Sequence, residues 1–112
     1  MTLLEFFNLL EKTEIPVWHY EATLEEYPYI VYQELTTDFS WASGKPYEEH
    51  TQIAVEHYTK NEFDPSLERL KRLLIKNKVP FTISTAYNHE TKVILNQFSL
   101  KIKHEWKDTD DE

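Results

Sequence analysis

The chain has 112 residues, a formal net charge of −8, no cysteine and a single glycine, Gly44; that length suits one domain around one core. Without cysteine there are no disulfides, thiol nucleophiles or cysteine-ligated zinc, and one glycine cannot build the loops that cradle phosphates or dinucleotides. The acidic balance opposes a chain-wide nucleic-acid footprint, because such binding depends on Lys and Arg neutralising phosphates, so no direct nucleic-acid binding is expected.

The N-terminus has no basic region followed by an apolar run and a small-residue cleavage site, so no signal peptide is expected. No apolar stretch approaches the ~20 residues that cross a bilayer, and no membrane partner is expected. Thr2 and Glu5 have the spacing of a capping box. Leu3, Phe6, Phe7 and Leu10 follow at i, i+3, i+4 and i+7, widened by Leu4 and Leu9, and predict a helix over 3–12. Its polar face offers Glu5, Asn8 and Glu11 against one Lys12, which suits packing on a sheet better than a membrane surface. Pro16 is tolerated at a strand start, and 17–20 (Val-Trp-His-Tyr) suits a short strand. Residues 27–35 are dense in aromatic and β-branched side chains and form the clearest strand signal. Ile30 and Tyr32 point to one face, and Tyr29, Val31 and Leu35 to the other. Both faces are apolar, so this strand is expected to be covered by a helix on one side and by a neighbouring subunit on the other.

Residues 36–49 read as a long connection in which turn residues mix with Phe39, Trp41 and Tyr47. Long loops often carry function, and aromatic side chains on them are candidate interface anchors. The competing reading folds Trp41 and Tyr47 back over the sheet edge as a satellite core.

Residues 52–74 organise the chain. Over 52–59, Ile53 and Val55 alternate with Ala54 and Glu56, the period of a half-buried strand. Asp64 can accept from a free backbone N–H and Pro65 sits where its missing N–H costs nothing, which predicts a helix from Asp64 to Lys78. Leu67, Leu70 and Leu74 share its apolar face. Asn77 is the expected left-handed C-cap and Pro80 blocks continuation. The polar face carries Arg69, Lys71, Arg72, Lys76 and Lys78. Either this is an ordinary solvated face whose late charges complement the helix dipole, or Arg69, Arg72 and Lys76 form a strip for an acidic surface on a neighbour.

Residues 81–87 predict a strand with Phe81, Ile83, Thr85 and Tyr87 on one face, and Asn88-His89-Glu90 a hairpin turn. Residues 93–106 return as a long strand, with Phe98, Leu100 and Ile102 facing the core and Ser99, Lys101 and Lys103 facing water. Residues 107–112 contain no apolar side chain and are expected to be a disordered acidic tail. The order α-β-β-loop-β-α-β-β predicts an α+β fold, a mainly antiparallel sheet with two helices packed on one face, in a single domain over 1–106.

No catalytic motif is present. His19, His50, His57, His89 and His104 form no HExxH or H-x3–5-H pair. A metal site assembled from distant strands would leave no mark in spacing, but His57 is expected to be a hydrogen-bonded core or interface histidine. The adjacent acids Glu25-Glu26 and Glu48-Glu49 would point to opposite faces of a strand rather than across a cleft. No nucleophile elbow surrounds any serine. The residues therefore read as non-enzymatic, with no cofactor.

Several stretches together resemble a family of tailed-phage and prophage proteins, the tail terminator or tail-completion proteins of siphophage-like viruses of Gram-positive bacteria. The resemblance runs from about Ile15 to Ile102. It rests on Ile15-Pro16-Val17, on 27–32 (YPYIVY), on 41–47 (WASGKPY), on 52–60 (QIAVEHYTK), on 64–68 (DPSLE), and on Val79-Pro80-Phe81 with the final strand. Ser43 stands where many members carry Asp, and no role is carried to that position. The resemblance implies an α+β subunit that forms a ring, typically a hexamer. The ring caps the finished tail tube and presents a surface to the head-side neck proteins. The protein would be made in the host cytoplasm and end in the virion. A head-completion or neck protein of the same virion is the sibling reading. A monomeric acidic module that masks a basic partner is the alternative from another class. Ring subunits meet through heterologous interfaces. Tyr29, Val31, Phe39, Trp41, Tyr47, Arg69, Arg72 and Lys76 are the candidate contact residues.

Overall fold

The computed structural model describes residues 1–107. The tail expected over 107–112 thus lies outside the described residues, apart from Lys107. The elements run α1 (Leu3–Glu11), β1 (Val17–His19), β2 (Tyr29–Ala42), β3 (Lys45–Thr59), α2 (Pro65–Lys76), β4 (Phe81–Asn88) and β5 (Val93–Glu105). The strands form one five-stranded sheet in the order β1-β2-β3-β5-β4. Only the β1–β2 pair is parallel; the others are antiparallel. The fold is α+β, with both helices on one face of a mainly antiparallel sheet.

Both helix starts form as their sequences dictate. Thr2 and Glu5 close the capping box around α1. Asp64 caps α2 by accepting from the Ser66 backbone N–H at 2.8 Å, with Pro65 in the first turn. The core lies between the helices and the sheet. Phe6, Leu9 and Leu10 of α1 and Leu70 and Leu74 of α2 pack on Ile30, Tyr32, Ile53, Val55, Phe98, Leu100 and Ile102. Leu67 is only partly buried beside them. Leu4, expected to widen the apolar face of α1, points to solvent instead. The left-handed residue after α2 is Lys78 (φ 58°) rather than Asn77, whose φ is −91°. Asn77 caps by another route, donating its side-chain amide to the Leu73 carbonyl at 2.8 Å.

The largest departure from expectation is at 36–49. This segment is no loop: β2 continues through it to Ala42, turns at Ser43-Gly44 and returns directly as β3. The physical reason is local. Thr36, Thr37, Phe39 and Trp41 are strand formers, and Ser43 and Gly44 both have positive φ (53° and 75°), as a two-residue hairpin turn demands. A register shift between Glu34 and Thr36 makes Leu35 a bulge residue. Leu35 is exposed, unlike Tyr29 and Val31, and borders a shallow depression with Gln52, Thr82, Ser99 and Lys101.

Fifteen residues of β3 span roughly 50 Å at ~3.3 Å per residue, which accounts for the 54 Å length of a molecule only 25 and 23 Å across. The helices cover one half of that length. Along β3 the helix-side residues Thr51, Ile53, Val55, His57 and Thr59 are buried, whereas Lys45–His50 lies beyond the helices and remains partly or fully exposed. The distal half of the β2–β3 hairpin is therefore an arm. The end of β5 flanks it, pairing as far as Glu48 with Glu105.

Candidate interface surfaces

The arm has two unlike faces. Phe39 pairs with Glu49, and Glu49 with His104, so these three point to one side, that of the helices. Strand alternation adds Trp41 to the same side, the Phe39 and Trp41 rings lie 6.4 Å apart, and a register shift between Ser40 and Trp41 leaves Tyr47 as the extra residue of β3 beside them. Phe39, Trp41 and Tyr47 are 42%, 63% and 47% exposed. They are neither a loop cluster nor a satellite core; they stand in a row on a projecting ribbon. Trp106 joins the row. Its backbone N–H donates to the Tyr47 carbonyl at 2.9 Å, its indole N–H donates to Glu49 Oε1 at 3.3 Å, and His104 packs against it edge-on at 5.4 Å. Sequence reasoning missed Trp106, although the period-two series Phe98, Leu100, Ile102, His104 leads directly to it. The opposite face of the arm is polar, with Glu48 between Lys103 and His50 in an ion-pair cluster. The Lys103 ammonium, donating to Glu48, holds that carboxyl below the usual range.

Tyr29 and Val31 lie on the sheet face away from the helices, yet both are buried within the chain. Tyr29 stacks on Tyr58 at 4.9 Å and packs against Tyr27 at 5.3 Å, and Lys60 lies over the Tyr27 ring at 4.9 Å. Burial pushes the Tyr29 hydroxyl up to about 12. This tyrosine cluster borders an open cleft of about 790 Å³ that reaches Tyr87, Glu90 and Leu95 at the end of the molecule opposite the arm. A partner meeting this face would touch the tyrosine rims more than Tyr29 or Val31 themselves.

The basic candidates on α2 divide. Arg69 is committed inside the fold, donating from Nε to the Thr13 carbonyl at 2.9 Å and so tying α2 to the end of α1. Arg72 and Lys76 are exposed and border a shallow depression with Lys12 and Leu73.

One buried polar network joins β3, α2, β5 and β4. Ser66 donates its hydroxyl to Asp64 Oδ1 at 2.7 Å, so it accepts from His57 Nε2 at 2.8 Å. His57 Nδ1 is then free to accept from the Asn96 amide at 3.3 Å, and Asn96 Oδ1 accepts from Thr85 at 3.0 Å. Thr59 completes the set, donating to Asp64 Oδ2 at 2.6 Å. His57, Ser66 and Asp64 are all buried. The polarity is the reverse of a nucleophilic triad, in which the imidazole accepts from serine and donates to the carboxylate. Here the serine hydroxyl is held by the carboxylate and the imidazole proton by the serine, so the three residues act as a structural tie. Burial holds the His57 imidazole below its ordinary value, partly offset by the nearby Asp64 charge. Burial would raise the Asp64 carboxyl, but the hydrogen bonds from Thr59 and Ser66 outweigh it and hold the group low. Among the described residues, no group of three or more His, Asp or Glu is placed to hold a metal ion, and no helix is long and apolar enough to cross a membrane.

Compared with protein-family models and with curated proteins, the chain matches none.

Proposed function

We propose that this chain is a structural virion subunit, a tail terminator that assembles into a ring, most simply of six copies, on the end of a phage tail tube. The ring would meet head-side neck proteins on its other surface. One observation carries the reading: a β arm at one end of an elongated subunit bears Phe39, Trp41 and Tyr47, all exposed among the described residues, beside a half-buried Trp106. Contiguous exposed aromatic surface of this kind is characteristic of contact sites. Its position at one end of the long axis suits a heterologous contact, in which unlike patches of successive copies meet. The sequence resemblance supplies the tail and neck as the setting, and with it a path from host cytoplasm to virion.

The test is negative-stain electron microscopy with light scattering over a range of protein concentrations, alone and with purified tail tubes. Rings with a central hole, or density capping the tubes, are the expected result. A monomer at every concentration that also ignores tubes would sink the reading and favour an acidic binding module. Rings that bind heads and ignore tubes would move the protein to the head-completion side of the joint.

A further inference from the structure

The sheet has two open edges, and they match. β4 is the last strand on one side, so its outer N–H and C=O groups have no strand partner among the described residues. Natural edge strands are blunted by charge, proline, bulges or shortness. The other edge strand, β1, is blunted in this way, with three residues. β4 is not: its eight residues, FTISTAYN, contain no charge and no proline, and its pairing with β5 is unbroken by any bulge. On the opposite side of the sheet, β1 covers β2 only at Ile30–Tyr32. Beyond it, the outer edge of β2 along the arm has no strand partner among the described residues as far as Ala42; it carries one charge, Asp38, and register shifts against β3 after Glu34 and after Ser40.

The faces of these two edges agree. Ile83 and Tyr87 of β4 pair with Phe98 and Ile94 and so point to the helix side, where they remain 37% and 50% exposed because no helix reaches them. Phe39 and Trp41 point to the same side of β2. On the other side β4 carries Thr82, Ser84 and Ala86 and β2 carries Thr36, Asp38 and Ser40, all small, with Asp38 the single charge. The directions also agree. β2, β3, β5 and β4 reverse at each step, so β4 of one copy runs antiparallel to β2 of an identically oriented neighbour, the more stable ladder.

We infer that successive copies of this chain join edge to edge, the outer edge of β4 in one pairing antiparallel with the outer edge of β2 over Thr36–Ala42 in the next. This rests on the self-assembly reading above and names its contact. Aromatic and β-branched cross-strand pairs then form between Ile83 or Tyr87 and Phe39 or Trp41, the pair types that stabilise sheets most. Ile83 is level with Tyr32 through Phe98 and Val55, and β1 already occupies that stretch of β2. The neighbour must therefore slide along the strands, by about six residues or roughly 20 Å if Ile83 meets Phe39. In a closed ring such a stagger tilts the strands against the ring axis.

Because the chain has no cysteine, introduced thiols report the contact without background. Chains carrying Ser84→Cys are mixed with chains carrying Asp38→Cys or Ser40→Cys, assembled alone or on tail tubes, and oxidised. The expected result is an inter-chain disulfide in at least one mixture, and none when Ser84→Cys is mixed with Ser99→Cys, which lies inside the sheet. Ile83→Lys should raise the concentration needed for assembly at least tenfold while circular dichroism and melting remain those of a folded subunit; Ile83→Val should assemble normally. Assemblies that form normally with Ile83→Lys and give no cross-link would overturn the edge contact and leave the assembly reading standing. Failure of the unmodified chain to assemble, with tubes as without, would overturn both.

Discussion

The imidazole of His57 donates its Nε2 proton to Ser66 Oγ, 2.8 Å away, and so ties the middle of the sheet to the first turn of α2. The tie holds the helix start against β3 through the capping residue itself, because Ser66 in turn donates to Asp64. Ser66→Ala should cost about 1–3 kcal/mol, since it strands the buried imidazole N–H and removes one donor from Asp64. Urea unfolding followed by tryptophan fluorescence measures the loss. An unchanged midpoint would mean that the network is ornamental.

The same network makes stability depend on pH. His57 is held below its ordinary value of 6.5 by burial. The unfolded chain therefore binds this proton more readily than the folded one, and stability falls as pH drops below 6.5 towards the lower folded value. Asp64 is held below its ordinary 3.8, so its contribution is present above that pH and is lost as pH falls further, through its folded value. Two stages of acid destabilisation are expected, the first beginning as pH falls below the ordinary histidine value of 6.5. His57→Gln should flatten that first stage relative to the unmodified chain in urea midpoints measured at pH 7.5 and 5.0. Parallel slopes for the two proteins would assign the effect to the other histidines.

The arm separates assembly from folding. Trp41→Ala and Tyr47→Ala remove exposed side chains and should change stability by no more than about 0.5 kcal/mol. Each should weaken assembly by about 1–2 kcal/mol or more, as truncated interface aromatics do. Phe6→Ala, in the core, should behave in the opposite way and cost about 3–5 kcal/mol of folding stability. Melting curves beside light scattering distinguish the cases. Unfolding of the subunit by Trp41→Ala would place that residue in the core after all.

The hairpin turn offers a purely backbone test. A Cβ added to Gly44 would meet no atom within 4 Å, yet its φ is +75°. Gly44→Ala should therefore destabilise by about 1–2 kcal/mol through conformation alone. Ser43→Asn, which tolerates positive φ better, should be neutral or slightly stabilising. Equal melting temperatures for Gly44→Ala and the unmodified protein would mean that the turn relaxes to another type.

What was legible in the sequence was local. Thr2 with Glu5 and Asp64 with Pro65 mark helix starts because caps are short-range hydrogen bonds between near neighbours. Ile53, Val55, Phe98, Leu100 and Ile102 announce their faces because a strand repeats every two residues. The α+β class and the element order follow from those signals. The segment 36–49 has the composition of a loop because Asp38, Ser40, Ser43, Gly44 and Pro46 are turn residues. Only Ser43 and Gly44 turn, since pairing with β3 and β5 satisfies the rest of the backbone as a ribbon.

The sequence by itself determined the helix N-caps and the periodic core faces, set by interactions within a few residues or by apolar periodicity. The tertiary structure decided which of the aromatic residues stand free. Tyr32 and Phe39 are both aromatic and lie on the helix side of one strand, yet Tyr32 is covered by Phe6 and Phe7 of α1 while Phe39 lies beyond the reach of α1 and α2. That difference arises from the lengths of β2 and β3 relative to the helices that cover them, a long-range quantity no local pattern encodes. It also decided that β4 and the arm of β2 form the two open edges, because strand order depends on pairings between residues far apart in the chain.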